Sequence, residues 1–133
     1  MDCATNAAVN LGGEMIINFI TIQTRDLEQS VDFYRRVLDM QVSRRFSPRP
    51  GMEIAFMDGS GLQVEFIHDD KTPPFSGSGI SLGFYVDNME KTAAHLKEQQ
   101  VEILSGPTTM KNGVKMLQAR DCHGVELGFV QQL

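Results

Sequence analysis

Glu65 and Glu126 are the residues whose type and surroundings point most directly to chemistry. Each sits inside a short apolar run, Leu62-Gln63-Val64-Glu65-Phe66-Ile67 and Val125-Glu126-Leu127-Gly128-Phe129-Val130. Side chains alternate across a β-strand, so a face that buries Val64 and Phe66 turns Gln63, Glu65 and Ile67 the other way. Glu126, between Val125 and Leu127, follows the same rule. Two carboxylates turned into one partly closed cleft repel each other and resist desolvation, which raises a pKa and would suit one of them to act as a general base. The pair would equally suit a cationic group of a ligand. The remaining alternative is two solvated charges on a sheet face.

Other side chains make weaker constellations. The three histidines form no cluster: His68 follows the strand of Glu65, His95 lies in a helical stretch, and His123 falls in a turn. Arg44 and Arg45 alternate, so one of them faces the cleft side, where with Arg49 it would meet an anionic group or simply line a solvated edge. Cys3 and Cys122 are far apart with no CxxC, which supports neither a zinc site nor a disulfide framework. No basic neighbour is assured for Cys122, so reactivity is not expected of it.

The elements that must position these residues come twice. Residues 16–23 (IINFITIQ) and 79–86 (GISLGFYV) are strand-like, and each leads into an amphipathic stretch where the apolar period changes from 2 to 3.6. An offset of 62 aligns Asp26 with Asn88 and Glu28 with Glu90. Asp26 with Gln29, and Asp87 with Glu90, resemble capping boxes. Leu27, Val31, Tyr34 and Leu38 then make one apolar stripe, and Met89, Ala93 and Leu96 another. The pattern predicts strands at 16–23, 41–46, 53–57 and 62–67 with a helix at 27–38. It repeats them at 80–86, 101–104, 114–119 and 125–130 with a helix at 89–99. The fold class is therefore α+β: two βαβββ modules, 15–68 and 79–131, joined by a linker at 69–78. They form a cupped mixed sheet around a cleft, helices outside. Phe19, Thr21, Gln63, Glu65, Ser81, Gly83, Tyr85 and Glu126 are its expected lining. Gly83 on a strand face suggests close approach of backbone or ligand.

The first module, with Arg25-Asp26-Leu27-Glu28-Gln29-Ser30 followed by Phe33-Tyr34-Arg35-Arg36-Val37-Leu38, resembles the vicinal oxygen chelate superfamily of glyoxalases, bleomycin-resistance proteins and extradiol dioxygenases. Residues 79–88 and 121–127 resemble its second module. The resemblance implies a homodimer and, in metal-dependent members, four ligands on inner strands. Mapped onto this chain, those positions fall on Phe19, Glu65, Ser81 and Glu126. The repeat makes Phe19 and Ser81 mates 62 positions apart, and Glu65 and Glu126 mates 61 apart. Both imidazole positions are lost, so no tightly bound metal cofactor is expected, and two carboxylates alone would hold a hard cation weakly.

The whole chain is 133 residues with a net charge of −5. That is a one-domain length, and the negative charge argues against nucleic acid as partner. No apolar run reaches membrane-spanning length. Residues 1–14 read as a polar extension rather than a secretory signal, and the default setting is cytoplasmic. The expected partner is a small organic ligand, possibly cationic. The expected function is small-molecule binding of glyoxalase/bleomycin-resistance type. The alternative is a glyoxalase-like lyase or isomerase using Glu65 and Glu126 with a weakly bound divalent metal.

Overall fold

The structure is a computed structural model that describes residues 15–59 and 61–133. The 1–14 extension lies outside the described residues. Ten elements follow in two equal sets: β1 (Phe19–Gln23), α1 (Leu27–Arg36), β2 (Gln41–Arg49), β3 (Met52–Asp58) and β4 (Gln63–Asp69), then β5 (Ser81–Tyr85), α2 (Met89–Glu98), β6 (Glu102–Thr109), β7 (Lys115–Arg120) and β8 (Glu126–Gln131). Each set folds into its own four-stranded sheet, ordered β1-β4-β3-β2 and β5-β8-β7-β6. The first pair in each sheet is parallel and the other two are antiparallel. The two sheets are not joined by hydrogen bonds.

Both helices start where a side chain satisfies their free N–H groups. Asp26 accepts from the Gln29 N–H at 3.0 Å. In the second module the cap is Asn88 rather than the expected Asp87, accepting from the Lys91 N–H at 3.0 Å. A left-handed residue follows each helix, Asp39 (φ 57) and Gln100 (φ 60), which turns the chain toward the next strand. Both outer strands run further than expected: β2 continues through Ser47-Pro48, and β6 passes through Ser105-Gly106-Pro107. The register slips between Ser105 and Thr108, so a bulge absorbs the sequence that resembled a turn. Gly106 is required there, since it has φ 89 and a Cβ would meet the Met116 carbonyl oxygen at 2.6 Å.

One apolar core runs through both modules. On α1 the residues Leu27, Val31 and Tyr34 are buried, as the stripe predicted, but Ser30 and Phe33 are buried as well. The helix thus buries two faces. Tyr34 packs edge-on against Phe66 of its own sheet, with ring centroids 4.7 Å apart. Phe33 lines a depression with residues 99–102 and 120–122 of the second module. Full burial of a side chain of this size contributes roughly 1.5–3 kcal/mol.

Polar contacts tie the same junction. The Tyr34 hydroxyl donates to Asp121 at 2.8 Å. The other Asp121 oxygen accepts the N–H groups of His123 at 2.8 Å and Val125 at 2.9 Å. Burial, followed by the negative charge of Asp121, pushes the Tyr34 pKa well above its usual value. His95, in the helical stretch expected for it, donates from Nε2 to the Val37 carbonyl at 2.8 Å. His123, expected as a turn residue, is one, and its ring also closes the junction. Its Nδ1 lies 3.0 Å from the Thr24 hydroxyl, and its Nε2 lies 2.7 Å from the Gln29 side-chain oxygen. The modules are thus held together through α1 and the β7–β8 turn. α2 adds to this seam: His95 meets the Val37 carbonyl, and Gln99, just past α2, meets the Arg36 side chain.

Candidate functional site

The sheet face turned away from the helices carries the candidate residues. In β4, Val64 and Phe66 are buried against the helix side. Gln63, Glu65 and Ile67 alternate to the open face and stay partly exposed, as alternation predicted. Strand register then lines residues up in rows. Thr21 of β1 pairs with Glu65 of β4, Glu65 with Phe56 of β3, and Phe56 with Arg44 of β2. The Thr21 hydroxyl donates to Glu65 at 2.5 Å. Phe56 is only 6% exposed although it lies on the open side. Phe19 covers it edge-on at 5.6 Å between centroids, and the Arg44 guanidinium lies 4.5 Å from its ring centroid.

The equivalent row of the second module is Gly83, Gly128, Gln118 and Ser105. Neither glycine has the positive φ that would demand glycine. A Cβ at Gly83 would meet nothing within 4 Å, and at Gly128 only the Leu82 carbonyl oxygen at 3.9 Å. Tyr85 stands beside them, 78% exposed, and with Gly83 and Val130 it lines a shallow depression of about 320 Å³.

This register corrects the pairing of the two glutamates. Ser81 pairs with Glu126 as Phe19 pairs with Gln63, so the structural mate of Glu126 is Gln63. The mate of Glu65 is Gly128. Glu126 belongs to a different row, opposite Arg120, which itself pairs with Glu102 and holds it at 3.2 Å. The physical cause is one extra residue in the turn between Arg120 and Glu126 compared with that between Asp58 and Gln63. A repeat offset of 62 in the third strands therefore becomes 63 in the fourth.

The structure thus brings together Phe19, Thr21, Gln63 and Glu65 on one open face, and Ser81, Gly83, Tyr85 and Glu126 on the other. No hydrogen bond joins Glu65 to Glu126, and the two stand on separate sheets. Sequence reasoning missed Gly128. Alternation alone would have placed Gly128 on the face of Glu126, but only register shows that it is the mate of Glu65. His68 turns from the site to the Thr24 carbonyl at 3.0 Å. Cys122 is free, and burial, then Asp121, pushes its pKa up to about 11, which agrees with the expected lack of reactivity.

The donor set can be tested against a metal. With the register applied, the four mapped positions hold Phe19, Glu65, Ser81 and Gly128. A phenyl ring and a glycine have no ligand atom, and a neutral hydroxyl is a poor one. Among the described residues no group of three or more His, Cys, Asp or Glu gathers where it could hold a metal ion. The residues present do not fit a tightly bound catalytic metal.

The fold and the paired open faces define a class of protein. Residues 16–129 match the model of the glyoxalase/bleomycin resistance protein/dioxygenase superfamily, and the chain belongs to that family. It is 27% identical over 138 residues to human mitochondrial methylmalonyl-CoA epimerase, covering 94% of this chain and 77% of that protein. Among solved structures it resembles a glyoxalase family protein from Bacillus cereus, with TM-score 0.80, 13% identity and coverage of 95% and 99% of the two chains. It also resembles a glyoxalase I variant from Zea mays, with TM-score 0.76, 20% identity and coverage of 87% of this chain and 45% of that one. Among the described residues no helix is long and apolar enough to cross a membrane.

Proposed function

We propose that this chain binds a small organic molecule on its open sheet faces, in the manner of the glyoxalase/bleomycin-resistance type, without a tightly held catalytic metal. One observation carries the reading: three of the four positions that metal-dependent relatives use hold Phe19, Ser81 and Gly128, while the faces around them keep exposed aromatic and polar side chains. The chain would work as a cytoplasmic homodimer; Ile16 is 73% exposed, Ile17 86% and Ile80 58%, apolar surface that a second copy would cover. Light scattering that gives a 14.8 kDa monomer at micromolar concentration would refute the dimer. Metal analysis of protein purified without chelators or a metal-affinity column tests the central claim. The expected result is no stoichiometric transition metal, and one bound per chain at Glu65 overturns it.

A second reading is favoured by two observations, the likeness to methylmalonyl-CoA epimerase and the Thr21 hydroxyl fixing Glu65. In that reading the chain is an isomerase or lyase, and Glu65 moves a proton on a carbon next to a carbonyl. Any divalent cation would be held weakly, by carboxylate and water. Proton–deuterium exchange into an acyl thioester at the α-carbon, lost in Glu65→Gln, would favour this reading.

A further inference from the structure

We propose that Arg44 is an anion-binding residue of the first module, and that the molecule bound there carries a carboxylate on a flat apolar body laid against the exposed ring of Phe19, which covers Phe56. The inference rests on the small-molecule reading and specifies its ligand class. Five arginines are matched to carboxylates: Arg35 and Arg36 to Asp32, Arg45 to Glu28 and Glu53, Arg49 to Asp69, and Arg120 to Glu102. Arg44 has no such partner among the described residues. It is held instead by aromatic rings, 4.5 Å from the Phe56 centroid and 5.5 Å from that of Phe46. Stacking on a ring leaves the guanidinium fork free to take a carboxylate through two parallel hydrogen bonds.

The carboxylate in the same row does not neutralise it. Glu65 and Arg44 are separated by Phe56 and by two strand spacings, about 10 Å of sheet. Glu65 is occupied by Thr21. The exposed Phe19 ring, packed on Phe56, gives this row an apolar surface beside a free cation and a fixed anion, which suits a ligand with an apolar body and an anionic end at Arg44. A single negative charge suits the row better than a phosphate, whose second charge Glu65 would repel. The fold does not require these residues, since the second module builds the same two positions with Gln118 and Ser105.

NMR titration of the full chain with benzoate, benzamide, benzylammonium and inorganic phosphate tests this, comparing wild type with Arg44→Gln and Arg44→Lys. Benzoate should move the Arg44 side-chain and Phe19 ring resonances saturably and bind more tightly than the other three. Arg44→Gln should weaken benzoate about tenfold or more, Arg44→Lys less, with amide resonances elsewhere unchanged. Equal benzoate affinity in Arg44→Gln, stronger binding of benzylammonium or phosphate on this row, or no benzoate shift here overturns the proposal. If benzoate moves only Gly83, Gly128 and Gln118, Arg44 is excluded while small-molecule binding stands. Silence of both faces toward all four probes counts against both.

Discussion

On the open face of the first module the middle row reads Thr21, Glu65, Phe56, Arg44; in the second it reads Gly83, Gly128, Gln118, Ser105. One backbone plan carries charge and an aromatic ring in one copy and bare backbone in the other. The β3–β4 and β7–β8 turns differ in the opposite sense. In the first module Asp58 is followed by Gly59, Ser60 and Gly61, whereas the second supplies Asp121 and His123, which grip α1. Duplication preserved the strands because their apolar faces must still be buried. The open faces and turns differ, so one module carries the charged and aromatic side chains and the other the latch and the open space.

The largest expected effect breaks that latch. Asp121→Ala strands the Tyr34 hydroxyl and two backbone N–H groups in a buried place, at a cost of about 3 kcal/mol. Chemical denaturation should show that loss, whereas Gly61→Ala in the other module, where a Cβ meets nothing, should change stability by less than about 0.5 kcal/mol.

Restoring symmetry tests the corrected register. Phe19→His with Ser81→His and Gly128→Glu should bind cobalt(II) about a hundredfold more tightly than Phe19→His with Ser81→His alone, which keeps Glu65 but has no carboxylate at position 128. Cobalt absorption spectra would read the difference, and equal affinities would return Glu126 to the site. Next in size, Glu65→Gln should change ligand affinity or turnover about tenfold, while Glu126→Gln leaves it within about twofold, because only the former stands in the aromatic row.

Smaller effects sharpen the contrast further. A Cβ at Gly83 meets nothing within 4 Å, so Gly83→Val should raise stability by about 0.5–1 kcal/mol in a thermal melt while blocking any ligand on the second face. Last comes pH. Burial, then the Arg25 charge, lowers the His123 pKa below 6.5. The unfolded chain therefore binds the proton more readily, and the latch contributes fully above pH 6.5 and is lost as pH falls through the lowered folded value. Melts between pH 7 and 5 should show a decline that is smaller in His123→Gln.

Local pattern was enough for the family, the two modules, the Asp26 cap and the outward aim of Glu65, because each depends on residues within one turn or one strand. Apolar period sets which face of a strand or helix is buried, and a capping side chain reaches only three residues. The true mate of Glu65, the ring beneath Arg44 and the grip of Asp121 on Tyr34 depended instead on the tertiary structure. One extra residue in the β7–β8 turn shifts every partner of β8 by a position, and sequence offset cannot tell a longer turn from a longer strand. The burial of Ser30 and Phe33 likewise needs the second module in place, since a single helix shows which residues are apolar but not how many surfaces it will meet.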